Sequence, residues 1–265
     1  MKLSVSCNLH FQIDDPTALI LMLRPLNGAQ QKIIKSSYIV EPNVQIIEGK
    51  DSYGNFYQRL VAPPGVFIIR TAAEAITADY IDSTPGAAFI EIQDLPNQVL
   101  PFLLPSRYCE SDRFGDLARE IIANALPGYD QVNAIADWVR HFINYIPGSS
   151  DYPLSAVETH NRGYGVCRDL AQLAIALCRS ISIPARLVVG YLYQLEPMDL
   201  HAWFEAYVGG RWYAFDPTQS DLRGGRVIIA FGRDAADVSI FHQFGVGCQL
   251  NSMDVQVNLL SNKPL

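Results

Sequence analysis

Apolar side chains in the first hundred positions recur at every second place, in short runs broken by turn-forming residues. Segments 5–13, 18–23, 32–40, 44–48, 55–61 and 67–80 are short and often β-branched. Turn formers such as Asp14, Asp15 and Pro16, or Asp51 to Asn55, stand between them. Alternation of this kind suits strands with one buried face, and a series of them with turn signals between predicts a β-sandwich. Leu95, Pro96, Asn97, Pro101 and Pro105 then read as a connector.

Beyond the connector the period changes. Segments 114–125 and 131–145 carry helical spacing, with Asp112 and Asp130 as the expected N-caps. From 166 to 180, Val166, Leu170, Leu173, Ala174, Leu177 and Cys178 line one helical face. Ala202, Phe204, Ala206 and Val208 next alternate with His201, Trp203, Glu205 and Tyr207, the signature of a strand. Gly209 and Gly210 form a favoured two-residue hairpin turn, after which 211–216 resumes the strand. Segments 227–231 and 244–259 read as further strands, and the last is free to join either sheet. The expected class is therefore α+β, with a β-sandwich domain over 1–100 and a catalytic domain over 101–265. No internal repeat or low-complexity tract interrupts it.

Composition narrows the function classes. The 265 residues can bury a substantial core, and a formal charge of −7 with a pI near 5.2 argues against nucleic acid and anionic membrane surfaces as partners. No apolar run approaches the roughly 18 residues of a membrane helix. Asn8, His10, Gln12 and Asp14 interrupt any signal-peptide core. The cysteines at 7, 109, 167, 178 and 248 are odd in number and scattered, without zinc-type spacing, and there is no calcium-type loop. No metal or cofactor is expected, and a reducing cytoplasm suits such a set.

The chemistry concentrates around one cysteine. Gly163, Tyr164, Gly165 and Val166 lead into Cys167, Arg168, Asp169 and Leu170, so Cys167 falls in the first turn of a helix. Unpaired amides and the positive end of the dipole favour an anion there. Asp169 has a plain explanation as a carboxylate at a helix start, and Cys178, on the apolar face, as a buried hydrophobe. In the hairpin, a two-residue turn sets Val208 opposite Arg211, Ala206 opposite Tyr213, Phe204 opposite Phe215 and Trp203 opposite Asp216. His201 and Asp216 then become diagonal neighbours on one side of the sheet, about 7–8 Å apart at the backbone and within reach of a hydrogen bond. A three-residue loop would break this geometry. Cys167, His201 and Asp216 thus read as thiol nucleophile, base and orienting acid.

These residues, together with His201, Ala202, Trp203, Phe204, Glu205 and the stretch 212–218, resemble the transglutaminase-like superfamily of cysteine proteases and acyltransferases. Segments 51–55, 104–109 and 232–238 are similar to those of bacterial members with an N-terminal β-domain. The resemblance spans nearly the whole chain. It implies a papain-like core in which the helix bearing the cysteine packs on an antiparallel sheet, with Cys167, His201 and Asp216 as the catalytic set.

The implied reaction is attack of the Cys167 thiolate on an amide or ester carbonyl, with His201 protonating the leaving group. Water or an amine resolves the thioester. The Cys167 amide is one oxyanion donor; Tyr164, Tyr108 and Tyr145 are candidates for the second, with packing as the plain alternative. Tyr164 and Trp203 are the candidate substrate contacts, and Trp212 shares the Trp203 face, with core or support packing as the default reading of both tryptophans. Glu205, Arg107, His160 and Arg162 are left outside the site. A peptidase or amidase acting on a peptide or amide is the first expectation, an amine acyltransferase the second and a silent binding module the third. Oligomeric state is open.

Overall fold

The alternating N-terminal third supplies six strands: β1 (Lys2–Ile13), β2 (Thr17–Leu21), β3 (Gln31–Glu41), β4 (Ile47–Lys50), β5 (Phe56–Ala62) and β6 (Gly65–Thr77). The computed structural model describes residues 1–28, 30–221, 223–245 and 247–260. In β1 every second side chain, from Leu3 through Val5, Cys7, Leu9 and Phe11 to Ile13, is buried, as the period of two requires. Burying each large one contributes about 1.5–3 kcal/mol against conformational entropy.

Four helices and eight strands follow among the described residues: α1 (Gly115–Ile121), α2 (Tyr129–Phe142), β7 (Asn144–Tyr145), α3 (Ala156–Arg162), β8 (Tyr164–Gly165), α4 (Cys167–Ser180), β9 (Ala185–Leu192), β10 (His201–Val208), β11 (Arg211–Phe215), β12 (Arg226–Gly232), β13 (Phe241–Phe244) and β14 (Cys248–Leu259). The sheet of the second half has the order β11-β10-β9-β12, and the N-terminal sheets have the orders β14-β1-β6-β3 and β13-β2-β5-β4. Helix α4 packs on β9 and β10. Tyr129 of α2 meets Tyr213 edge-to-face, with ring centroids 5.4 Å apart, and tilts against Phe215 at 4.9 Å. The helices therefore cover the face of the sheet that carries Phe204 and Phe215. The fold class expected from the pattern is the one observed.

Several boundaries differ from the pattern. Helix α1 begins after Phe114 and α2 after Gly128, neither with a side-chain cap bond from aspartate. The Asp130 carboxylate instead accepts from the Gly86 amide at 2.9 Å, a tertiary bond that outcompetes a local cap. Helix α2 stops at Phe142, because Asn144 and Tyr145 pair in parallel with Tyr164 and Gly165. The final apolar stretch divides into β13 and β14. Gly245 and Gly247 stand at the break with φ of +118° and +90°, a region that non-glycine residues rarely enter. Strand β13 pairs with β2 and β14 with β1, so the C-terminal segment returns to the N-terminal sheets.

Two buried amides join the halves. The Gln31 side chain donates to the Ile228 carbonyl at 2.9 Å and accepts from its amide at 2.6 Å. Asn55 does the same with Phe231, at 2.8 and 3.0 Å. Edge strand β12 thus finds side chains where a neighbouring strand would otherwise satisfy its backbone.

Candidate active site

The loop before helix α4, which Cys167 opens, is shaped by local rules. Ser155 and Glu158 form a reciprocal capping box at the start of α3. Gly163, at φ +71°, ends that helix in the left-handed region. Two residues on, a Cβ at Gly165 would lie 2.9 Å from the Asp169 Cβ, so only glycine lets that side chain fold back over the loop. Asp169 has no exposed surface. Its carboxylate accepts from the Val166 amide at 3.2 Å, the Leu154 amide at 3.2 Å, Arg168 Nε at 3.1 Å and the Ser150 hydroxyl. Arg168 also donates to the Tyr152 carbonyl at 2.9 Å. Segment 150–154 is thereby strapped to the first turn of α4, where Cys167 stands half-buried as the first helical residue. Asp169 does serve the helix start, accepting from the N-cap amide of Val166, and its bonds to Leu154 and Ser150 go beyond that plain reading.

The histidine comes from the hairpin. Gly209 and Gly210 have φ of +56° and +84°, the pair of positive values that a type I′ turn demands. The register follows: Phe204 pairs with Phe215, Ala206 with Tyr213 and Val208 with Arg211. At the open end, His201 Nε2 lies 2.8 Å from Asp216 Oδ2, in a buried pair. The other Asp216 oxygen accepts from the Thr218 amide at 3.0 Å and hydroxyl at 2.8 Å. Arg226 Nη2 donates to Oδ2 at 2.8 Å, and Arg140 Nη2 to the Asp216 carbonyl at 2.7 Å.

With Nε2 committed to the carboxylate, Nδ1 is the free ring nitrogen. It is buried without a hydrogen-bond partner among the described residues. Burial opposes a charge on the imidazole, but the Asp216 carboxylate and the neighbouring Cys167 sulfur outweigh it and hold the ring above the ordinary histidine range. Burial likewise pushes the Asp216 carboxyl up, and is overcome by His201, Arg226 and the Thr218 amide, which leave it well below the usual range. The Cys167 thiol at the start of α4, the imidazole at the start of β10 and the carboxylate just past β11 are therefore neighbours, in a setting that favours an imidazolium beside a carboxylate.

The secondary candidates divide. Tyr145 pairs with Gly165, two residues before the cysteine. Its phenol is pushed up to about 12 by burial and then by Cys167, so it stays protonated and able to donate. Tyr164 is 36% exposed on the adjoining strand. Tyr108 is anchored elsewhere: its amide donates to Asp234 at 2.8 Å and its ring carries the Arg107 guanidinium at 4.9 Å. Trp203 is packed, in keeping with its default reading. It is 1% exposed, lies stacked beside His201 with centroids 6.2 Å apart, and carries the Arg226 guanidinium at 5.4 Å. It backs the imidazole. Trp212 and Phe231 sandwich Arg186 at 4.2 and 3.9 Å. Arg186 pairs at 2.6 Å with Glu205, which is buried rather than exposed. A cleft of about 510 Å³ opens beside Trp203 and Arg226, and Cys167 does not line it. Among the described residues, no group of three or more His, Cys, Asp or Glu is placed to hold a metal ion.

Residues 115–217 match the core of the transglutaminase-like superfamily, and residues 1–85 match the bacterial transglutaminase N-terminal domain. A crystal structure described as a "Putative Cysteine Protease from Cytophaga hutchinsonii" is 38% identical, covers 100% of this chain and 92% of its own, and superposes with a TM-score of 0.91. The uncharacterized protein ML0607 of Mycobacterium leprae is 26% identical over 89% of each chain. The uncharacterized protein Rv2569c of Mycobacterium tuberculosis is 32% identical over 82% of this chain and 77% of its own.

Proposed function

The chain belongs to the transglutaminase-like superfamily, and on that premise we propose that it is a cysteine-dependent hydrolase of amide or peptide bonds. One observation carries the reading: His201 is gripped through Nε2 by Asp216, while its buried Nδ1 has no partner among the described residues but the neighbouring thiol. That is the arrangement a nucleophile–base pair needs. In this mechanism the Cys167 sulfur gives its proton to Nδ1 and attacks the carbonyl carbon. The oxyanion is met by the Cys167 amide at the helix start, with the Tyr145 hydroxyl as second donor. Imidazolium returns the proton to the leaving amine, and a thioester remains. A water molecule, deprotonated by Nδ1, attacks the thioester, releasing the acid and the thiol. The substrate is an amide or peptide with Tyr164 at its rim. The five free cysteines fit a reducing, cytoplasmic setting.

Amine transfer is the second reading, supported by the match to the bacterial transglutaminase N-terminal domain. The test is turnover of a panel of peptide amides and activated esters, with and without a primary amine. The expected result is release of free acid, abolished in Cys167→Ala while the fold is kept. Capture mainly as the amine adduct assigns the transferase instead. Unchanged turnover in Cys167→Ala removes the cysteine from the chemistry.

A further inference from the structure

We propose that Arg226 is a positioning residue of this site: it holds the Asp216 carboxylate for His201 and divides that carboxylate's charge between two cations. The inference rests on the reading above, but its principal test does not need turnover.

Arg226 opens β12, on the far edge of the sheet from the hairpin that carries His201 and Asp216. Its side chain is 8% exposed. Nη2 donates at 2.8 Å to Asp216 Oδ2, the same oxygen that takes His201 Nε2 at 2.8 Å. Nη1 donates to the Arg223 carbonyl at 2.7 Å, and the guanidinium stands over the Trp203 ring. Its own backbone is held by the Thr77 hydroxyl at 2.8 Å on the Arg226 carbonyl. The group is gripped at both terminal nitrogens and on one face, while Nε is buried without a partner among the described residues, so it has little freedom to leave the carboxylate.

A buried ion pair that served packing alone could be exchanged for apolar side chains with little loss. This pair differs because one of its oxygens is shared with the imidazole. Two cations on one oxygen sit roughly 5 Å apart, and at an effective dielectric near 20 their repulsion corresponds to about two pH units of imidazole titration. The other titratable groups near the ring are the Cys167 thiol from α4 and Asp199, two residues ahead in the chain, while the Tyr145 hydroxyl from β7 lies by Cys167, Asp199 and Asp216. Arg140, from α2, reaches only the Asp216 carbonyl and is paired with Asp137. Arg226 is therefore the cation placed on the carboxylate itself. It keeps a desolvated acid ionised and fixed in direction, and it restrains the imidazolium from becoming too weak an acid to release its proton to a leaving group.

The experiment is NMR titration of the His201 ring nitrogens in the full-length protein and in Arg226→Met, Arg226→Gln and Arg226→Lys. The same proteins are assayed for kcat/KM against pH. The neutral variants should titrate about one to two pH units higher than the parent, with turnover near neutral pH lowered about tenfold. The alkaline limb of the activity profile should move upward with the ring. Arg226→Lys, which keeps the charge, should restore the parental titration. An unmoved titration in the folded neutral variants overturns the proposal, as does a shift equally large in Arg226→Lys. Loss of fold in both neutral variants also overturns it, by making Arg226 a structural residue. If the parent shows no thiol-dependent turnover, the hydrolase reading fails, while the ring titration still decides the role of Arg226.

Discussion

Asp169→Ala removes a carboxylate that has no exposed surface and organises the nucleophile's first helical turn. The substitution orphans the Val166 and Leu154 amides, which the carboxylate accepts from at 3.2 Å each. It also strands Arg168, whose side chain is 24% exposed. A buried donor left without a partner costs about 1–3 kcal/mol. Two such amides, with Arg168 partly relieved by water, place the loss at about 3–5 kcal/mol. At about 2–4 °C per kcal/mol for a chain of this size, Tm should fall by about 10 °C. Segment 150–154 loses its strap to α4, so the rate at which iodoacetamide alkylates Cys167 should change along with kcat/KM. Asp169→Asn keeps one acceptor and turns an amide group toward the remaining donors, so its Tm should lie between. The assays are calorimetry and mass-spectrometric alkylation at Cys167. A Tm within 2 °C of the parent, with an unchanged alkylation rate, would refute the claim that this carboxylate builds the site.

Two further outcomes follow from the same physics. Asp216→Asn removes the charge that holds the imidazole up, so burial takes over and the ring should titrate below the ordinary range; turnover at neutral pH should fall about 100-fold or more. The pair also sets a stability window. His201 is raised in the folded state, so its contribution is complete below the unfolded imidazole value and is lost as pH climbs through the folded one. Asp216 is depressed, so its contribution is present above the unfolded carboxyl value and is lost as pH falls toward the folded one. Urea midpoints of the parent should peak between roughly pH 4 and 6.5, and Asp216→Asn should flatten that peak. Asn55→Ala orphans the Phe231 amide and carbonyl and should cost about 2–3 kcal/mol in urea unfolding. Turnover of the folded fraction should be unchanged; a midpoint equal to the parent's would show that β12 needs no substitute partner.

Much of the site was legible because its rules are local. The alternation from His201 to Val208 and the Gly209–Gly210 turn together set the register, and in a two-residue hairpin register decides which side chains share an end. Periodicity from 166 onward placed Cys167 at a helix start because helical faces repeat over a few residues. The same strand pattern left Trp203 open between packing and a substrate contact, since a face assignment cannot tell whether another element covers that face.

What the residues by themselves determined was the strands, the helix and the pairing of His201 with Asp216, all products of contacts between near neighbours. Only the folded chain decided the rest. Arg226 reaches Asp216 from another strand, Asp169 turns inward to hold a distant segment, Gln31 and Asn55 complete β12, and the C-terminal strand closes on β1. Each joins parts far apart along the chain, where packing and the need to satisfy buried polar groups choose the partner and no short-range spacing records it.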